Sequence, residues 1–356
     1  MRSVHVVVPN DIDDPSTPSG GNTYDRRVCR GLAAAGWSVR EHAVCGHWPR
    51  PGPTERADLA RVLATIADDA IVLLDGLVAS AAADVLVPQA RRLRLVVLVH
   101  LPVGDQAPEL SCSEREVLTA AVAIIATSEW SRRRLRDRYA LAADRVHVAT
   151  PGVDPAPVAP ASPSGTALLC VAAVTAHKGH DLLIEALATM PELPWSCVCV
   201  GALSRDPAFV DALRRQAESH GLTDRVRLVG ARTGAALAAA YAAADLLVLA
   251  SRGETYGMVV TEALARGIPV VATRANGLPE ALGRAPDGTR PGLLVGPDDP
   301  VALAGAVRRW LSEPDLRHEL RRSALVRRTT LSGWAVTSEV ISRVLSRVSV
   351  TCGGPA

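Results

Sequence analysis

The sequence predicts an α/β protein of two successive domains, each a parallel sheet wrapped by helices. Short, mostly apolar runs alternate with segments of helical period, as parallel crossovers require. The alternation occurs twice, once on each side of a proline-rich stretch at residues 150–163. With 356 residues, 48% of them apolar, the chain is also long enough for two cores.

In the first half, strands are expected at residues 4–8, 38–44, 70–74, 95–100, 123–126 and 146–149, with helices between them. A loop carrying Gly20 and Gly21 precedes the first helix, expected at 26–35. The five prolines at 151, 155, 157, 160 and 163 forbid a helix or a central strand, so 151–165 reads as an interdomain linker. The domains then run 1–150 and 166–332. Strands of the second are expected at 168–172, 196–200, 226–229, 246–249, 269–272 and 293–295, and residues 315–350 have a helical period.

Composition narrows the class. A net charge of +2, with no basic stretch interleaved with aromatics, argues against nucleic acid as a partner. No run of about 20 apolar residues and no leader-type amino terminus is seen, so a cytoplasmic protein is expected. The cysteines, at 29, 45, 112, 170, 197, 199 and 352, lack paired metal spacing and read as reduced thiols, mostly in the core. Cys197 and Cys199 share one face of a strand, which shared burial explains better than zinc. His5 and His318 read as structural.

The chemistry concentrates in the run from Ser251 to Leu264. An apolar strand, 246–249, leads into a turn at 252–256 and a helix from Gly257, whose first amides lack intrahelical partners and suit a phosphate. Glu254 sits in the turn and Glu262 deeper in the helix, with seven residues between them, so they can touch different parts of one elongated ligand. A nucleotide-sugar is such a ligand. The one lysine of the chain, Lys178, also stands in a loop at a strand's carboxyl end, where an ammonium can neutralise a departing diphosphate.

The Glu254 to Glu262 segment, continued by Ala265 to Ala272 and Asn276-Gly277-Leu278-Pro279-Glu280, resembles the signature of retaining glycosyltransferases of family four. That resemblance implies a GT-B fold, two facing Rossmann-like domains with a cleft between them, the amino-terminal one taking the acceptor and the carboxyl-terminal one the donor. It also implies that a closing helix, about 333–350, packs back on the first domain. By the same resemblance Lys178 binds the diphosphate, Glu254 the transferred sugar and Glu262 the ribose, and the segment Tyr256, Gly257, Met258 and Val259 lines the donor. Val229, Gly230 and Arg232 are expected at the base. Gly20 and Gly21 resemble the family's glycine loop, and His100, ending its strand, the histidine that contacts the donor sugar.

The chain departs from the pattern at Ala173, where many members have an arginine; His177, Arg205 or Arg252 are the candidate replacements. Residues 128–139 form the densest basic patch and read as a solvated helix rather than a membrane-docking one. The function implied is metal-independent transfer from a UDP- or GDP-sugar to a hydroxyl of a small-molecule, thiol-precursor or lipid-linked acceptor, with retention at the anomeric carbon. An epimerase or hydrolase of the same fold, or a non-catalytic sugar-nucleotide binder, are the alternatives.

Overall fold

A computed structural model describes residues 2–350, so Cys352 lies outside the described residues. The chain divides into two compact units. The first comprises Gly20–Gly152 with residues 2–13 and 334–350; the second comprises Asp14–Ser19 and Val153–Gly333.

The first unit holds a parallel six-stranded sheet of β1 (Ser3–Pro9), β2 (Ser38–Val44), β3 (Ile71–Asp75), β4 (Arg94–Val99), β5 (Ala123–Ala126) and β6 (Val146–Val148). Its order is β2-β1-β3-β4-β5-β6. Val4, Val6, Val8, Leu73, Val96 and Leu98 pack into one core layer, and Val7, Val72, Leu74, Val97 and Val99 into another. Both faces are covered, which is why these strands show no polar alternation.

The second unit repeats the design with β7 (Ala167–Val171), β8 (Ser196–Val200), β9 (Val226–Leu228), β10 (Leu246–Leu249), β11 (Val270–Thr273) and β12 (Gly292–Val295). The order is β12-β11-β10-β7-β8-β9, all pairs parallel. In each sheet the order in which successive strands are added reverses at one point, between β1 and β3 and between β7 and β10.

Two expectations are corrected. The helix after β1 spans Gly20–Ala34, so Gly20 and Gly21 belong to its first turn and not to a preceding loop. The chain reversal is made earlier, where Asp14 accepts from the Ser16 amide at 2.8 Å and hydroxyl at 2.7 Å. The carboxyl-terminal helical region is broken, into Pro314–Arg328 and Trp334–Val350.

The last helix belongs to the first unit. Ile341 and Leu345 are fully buried in its core, and Trp37 Nε1 donates to Ser342 Oγ at 2.9 Å. Residues 151–166 have no regular secondary structure, and most of them are tied to the second unit. Ala159 N donates to Arg266 O at 2.9 Å, and Asp245 accepts from the Ser162 amide and hydroxyl at 2.6 Å each. In the basic helix Glu129–Tyr139, Leu135 and Tyr139 face the core, while Arg134 pairs with Asp105 at 2.7 Å. No helix among the described residues is long and apolar enough to cross a membrane.

Glu114 is the polar anchor of the first unit. Wholly buried on helix Ser111–Ala120, it accepts from Ser80 Oγ at 3.1 Å, Val103 N at 2.8 Å, Gly104 N at 2.9 Å and the Tyr139 hydroxyl. Glu114→Ala strands these donors, and each buried orphan costs about 1–3 kcal/mol. Calorimetry of this variant is expected to show the first unit losing about 3 kcal/mol or more. Tyr139→Phe, which removes one of the four donors to Glu114 and one acceptor of the part-exposed Arg138, should cost less, about 1–2 kcal/mol.

Candidate active site

In the second unit, β7 and β10 are hydrogen-bonded neighbours, so the two loops that carry the chemistry emerge side by side. After β7 the chain makes a 3-10 turn, Ala176–Lys178, and then Gly179 at φ +68°. A Cβ on Gly179 would lie 2.0 Å from Ala250 O, so only glycine permits this approach of the two loops. Arg252 N closes it by donating to His177 O at 2.9 Å.

The approach brings Lys178 and Glu254 together. Lys178 Nζ donates to Glu254 Oε1 at 2.6 Å, and Ser251 Oγ donates to the same oxygen at 3.1 Å. The Glu254 backbone is fixed as well, its carbonyl accepting from Gly277 N at 2.7 Å. The Lys178–Glu254 pair is partly buried, so its charges are screened less than at the open surface.

Glu262 keeps separate partners. Its Oε2 accepts from the Tyr241 hydroxyl at 2.7 Å, and Arg266 lies 4.5 Å over the Tyr241 ring. Burial raises the Glu262 carboxyl above its ordinary value, with the Tyr241 hydrogen bond and the Arg266 charge pulling it back. Gly257, φ +96°, caps the helix Met258–Leu264 and is not its first residue; a Cβ there would meet Leu278 Cδ2 at 2.5 Å. Met258 and Val259 are half-buried in the first turn. Tyr256 packs on the core, its hydroxyl pushed up to about 12 by burial and then by Glu280.

Val229, Gly230 and Arg232 follow β9, the edge strand beyond β8. Val229 N donates to Cys199 O at 3.0 Å, Gly230 O accepts from Gly201 N at 3.0 Å, and Arg232 is exposed. The candidate replacements for an arginine at 173 separate clearly. Arg252 is spent on Asp181 and Asp298, each at 2.7 Å, and on Ala176 O. His177 is lowered by burial and then by the Lys178 charge, which leaves it neutral. Arg205 is exposed and donates to Thr17 O at 3.2 Å.

In the first unit, His100 directly follows β4 and is bonded to carboxylates, not to neighbouring backbone. Its Nε2 meets Asp25 Oδ1 at 2.7 Å and Asp75 Oδ2 at 3.6 Å. Gly21 packs on the ring, since a Cβ there would stand 3.2 Å from Cδ2. Burial pushes the imidazole down, but the charge and hydrogen bond of Asp25 and the charge of Asp75 outweigh it and hold the ring above its ordinary value. Burial and the Asp25 charge push Asp75 up to about 7, against the pull of His100.

Sequence reasoning missed Asp25, Asp75 and Tyr241. Asp75 had a signal, an acid ending the apolar strand Ile71–Asp75, and Asp25 lies one turn after Gly21 on the same helix face. Nothing local marked Tyr241.

Both first-unit groups hold protons that the unfolded chain releases, Asp75 from about pH 3.9 up to about 7 and His100 above about pH 6.5. The stability they contribute is therefore lost as pH rises through this window. Asp25→Asn is expected to lower the His100 titration midpoint, followed by NMR, by about one unit or more, and to flatten that loss. An unchanged midpoint would remove Asp25 as the group that sets the charge of His100.

Residues 160–327 match the family described as glycosyl transferases group 1. The D-inositol 3-phosphate glycosyltransferase of Kineococcus radiotolerans is 33% identical over 270 residues, covering 68% of this chain and 62% of that protein. That of Jonesia denitrificans is 31% identical over 248 residues, covering 63% and 57%. The chain thus spans about three fifths of the length of these curated relatives. Among solved structures, sucrose-phosphate synthase from Thermosynechococcus elongatus superposes with a TM-score of 0.81 at 23% identity, over 99% of this chain and 100% of that one. Anabaena HepE in complex with UDP and glucose gives 0.78 at 18% identity, over 98% and 100%. The chain has the GT-B fold, and its residues 160–327 belong to the glycosyl transferases of group 1.

Proposed function

We propose that this chain is a retaining glycosyltransferase that moves a sugar from a nucleoside diphosphate to a hydroxyl of a polar acceptor. The observation that carries this reading is the Lys178–Glu254 pair at the point where the strand order of the second sheet reverses. An ammonium and a carboxylate in contact there offer one group for a diphosphate and one for sugar hydroxyls, and each can exchange its protein partner for the ligand.

In the transfer, the bond from the anomeric carbon to the diphosphate oxygen breaks and a bond to the acceptor oxygen forms on the same face. The acceptor's proton passes to the departing phosphate oxygen. The products are an α-glycoside and a nucleoside diphosphate. Lys178 and the amides after Gly257 meet the charge that develops on the leaving group, so the transfer calls for no metal. Glu262, oriented by Tyr241, takes the ribose hydroxyls, and His100 presents its ring to a sugar hydroxyl. Arg205 is the cation best able to replace the arginine missing at 173, because its guanidinium is exposed and donates to a carbonyl rather than pairing closely with a carboxylate among the described residues.

UDP is favoured as the nucleotide, since Anabaena HepE, which shares the fold, was solved with UDP and with UDP-glucose. The curated relatives, named for D-inositol 3-phosphate, favour a phosphorylated polyol as acceptor.

Thermal-shift and calorimetric titration with UDP, GDP, ADP and dTDP tests the donor, followed by turnover of the matching sugars. A nucleotide-selective shift is expected, with Glu262→Ala weakening donor binding about tenfold or more, equivalent to about 1.4 kcal/mol. Lys178→Ala should instead lower kcat by about 100-fold or more. Unaltered donor kinetics in Glu262→Ala would remove the ribose role. Product from donor alone would favour an epimerase or hydrolase, and binding without turnover a sugar-nucleotide binder.

A further inference from the structure

Cys197 and Cys199, two alternate residues of β8, are joined on their face of the sheet by two more side chains able to ligate a metal. Cys170 of β7 lies opposite Cys199 in the parallel register, so both side chains leave the sheet on the same side. His180, the first residue of helix His180–Ala188, sits against them with Nε2 3.7 Å from Cys170 Sγ. The ligand atoms of Cys170, His180 and Cys199 all lie within 4.8 Å of one another, and Cys197 Sγ is 4.0 Å from Cys199 Sγ. None of the four residues is more than 1% exposed.

Hydrogen bonding explains this cluster poorly. A neutral imidazole needs an acceptor for its N–H and a donor for its lone pair. Nδ1 of His180 is buried with no partner among the described residues, and Nε2 meets only sulfur. The spacing suits a thiophilic ion better. Bonds of about 2.3 Å to sulfur and about 2.0–2.1 Å to nitrogen in a tetrahedron put ligand atoms roughly 3.5–3.8 Å apart. Two thiolates and a neutral imidazole also balance a divalent ion, which a site closed to water requires.

We propose that Cys170 and Cys199, as thiolates, and His180, as the neutral imidazole, bind one zinc ion. The site is structural. It clamps the start of the helix that follows Lys178 and Gly179 to β7 and β8, and it takes no part in the transfer. It revises the reading of the Cys197–Cys199 pair as burial alone. Binding forms bonds from zinc to the sulfurs and to a ring nitrogen, and releases a proton from each thiol that becomes a thiolate. At least two protons leave, so affinity falls about 100-fold or more for each unit of pH decrease. The hydrogen bond with Cys199, and then burial, hold the Cys170 thiol well above the usual range, which makes that release the main opposing cost.

The test uses the full chain with Cys45→Ser, Cys112→Ser and Cys352→Ser, which removes the two exposed thiols and the terminal one. After expression with zinc and desalting, elemental analysis is expected to find about one zinc per chain, and about a tenth of that or less once Cys170→Ser and Cys199→Ser are added. Because the added changes can impair folding, the parent protein is also refolded with Co2+, where a thiolate-to-cobalt absorption band is expected. Zinc at about a tenth of an equivalent together with no such band would overturn the site. So would full zinc retention in the Cys170→Ser, Cys199→Ser variant.

Discussion

The hydrogen-bonded pairing of β7 with β10 is the constraint on which the second unit's chemistry depends. These strands are far apart in sequence, and the intervening β8 and β9 are laid down on the other side of β7. That order leaves the two loops as immediate neighbours with nothing between them. Gly179 then lets one backbone seat against the Ala250 carbonyl of the other, and the ion pair follows. A side chain at 179 would push the loops apart and separate Lys178 from Glu254, although neither charged residue had been touched. The electrostatics of this site are thus a consequence of a steric allowance.

The first unit reaches a polar site differently. Its carboxylates come from three places, the end of β3, the helix after β1 and helix Ser111–Ala120, and each is buried with named partners. Glu114 is satisfied by neutral donors and holds a loop. Asp25 and Asp75 instead flank His100, so charge on the ring helps offset their burial, and Asp75 also accepts from the Leu77 and Val78 amides. The first arrangement gives rigidity. The second gives a group whose protonation responds to its surroundings, at the carboxyl end of a sheet where a ligand can reach it.

Most of the fold was legible in the sequence, because a strand buried on both faces must be apolar throughout and a parallel crossover must contain a helix. The ends of β5 and β10 fall where the apolar runs fall. The start of the first helix was not legible, since Gly20 and Gly21 have poor helix propensity and read as a loop; the turn at Asp14 shows otherwise. In the site, Glu254, Glu262 and Lys178 stood out because their loops carry a pattern. Tyr241 did not, because its partnership with Glu262 joins two helices that only the tertiary structure brings together. The cysteines show the same limit. Cys197 and Cys199 are adjacent in sequence terms, while Cys170 and His180 join them through strand register.

The arginine bias of this chain has a practical side. Lys178 carries its sole ε-amine, half-exposed and held against Glu254. Apart from the amino terminus, every amine-directed reagent therefore has a single address, and that address lies between the two loops of the second unit. Its acylation rate is a one-residue gauge of how tightly those loops hold together, readable by mass spectrometry without any engineered label.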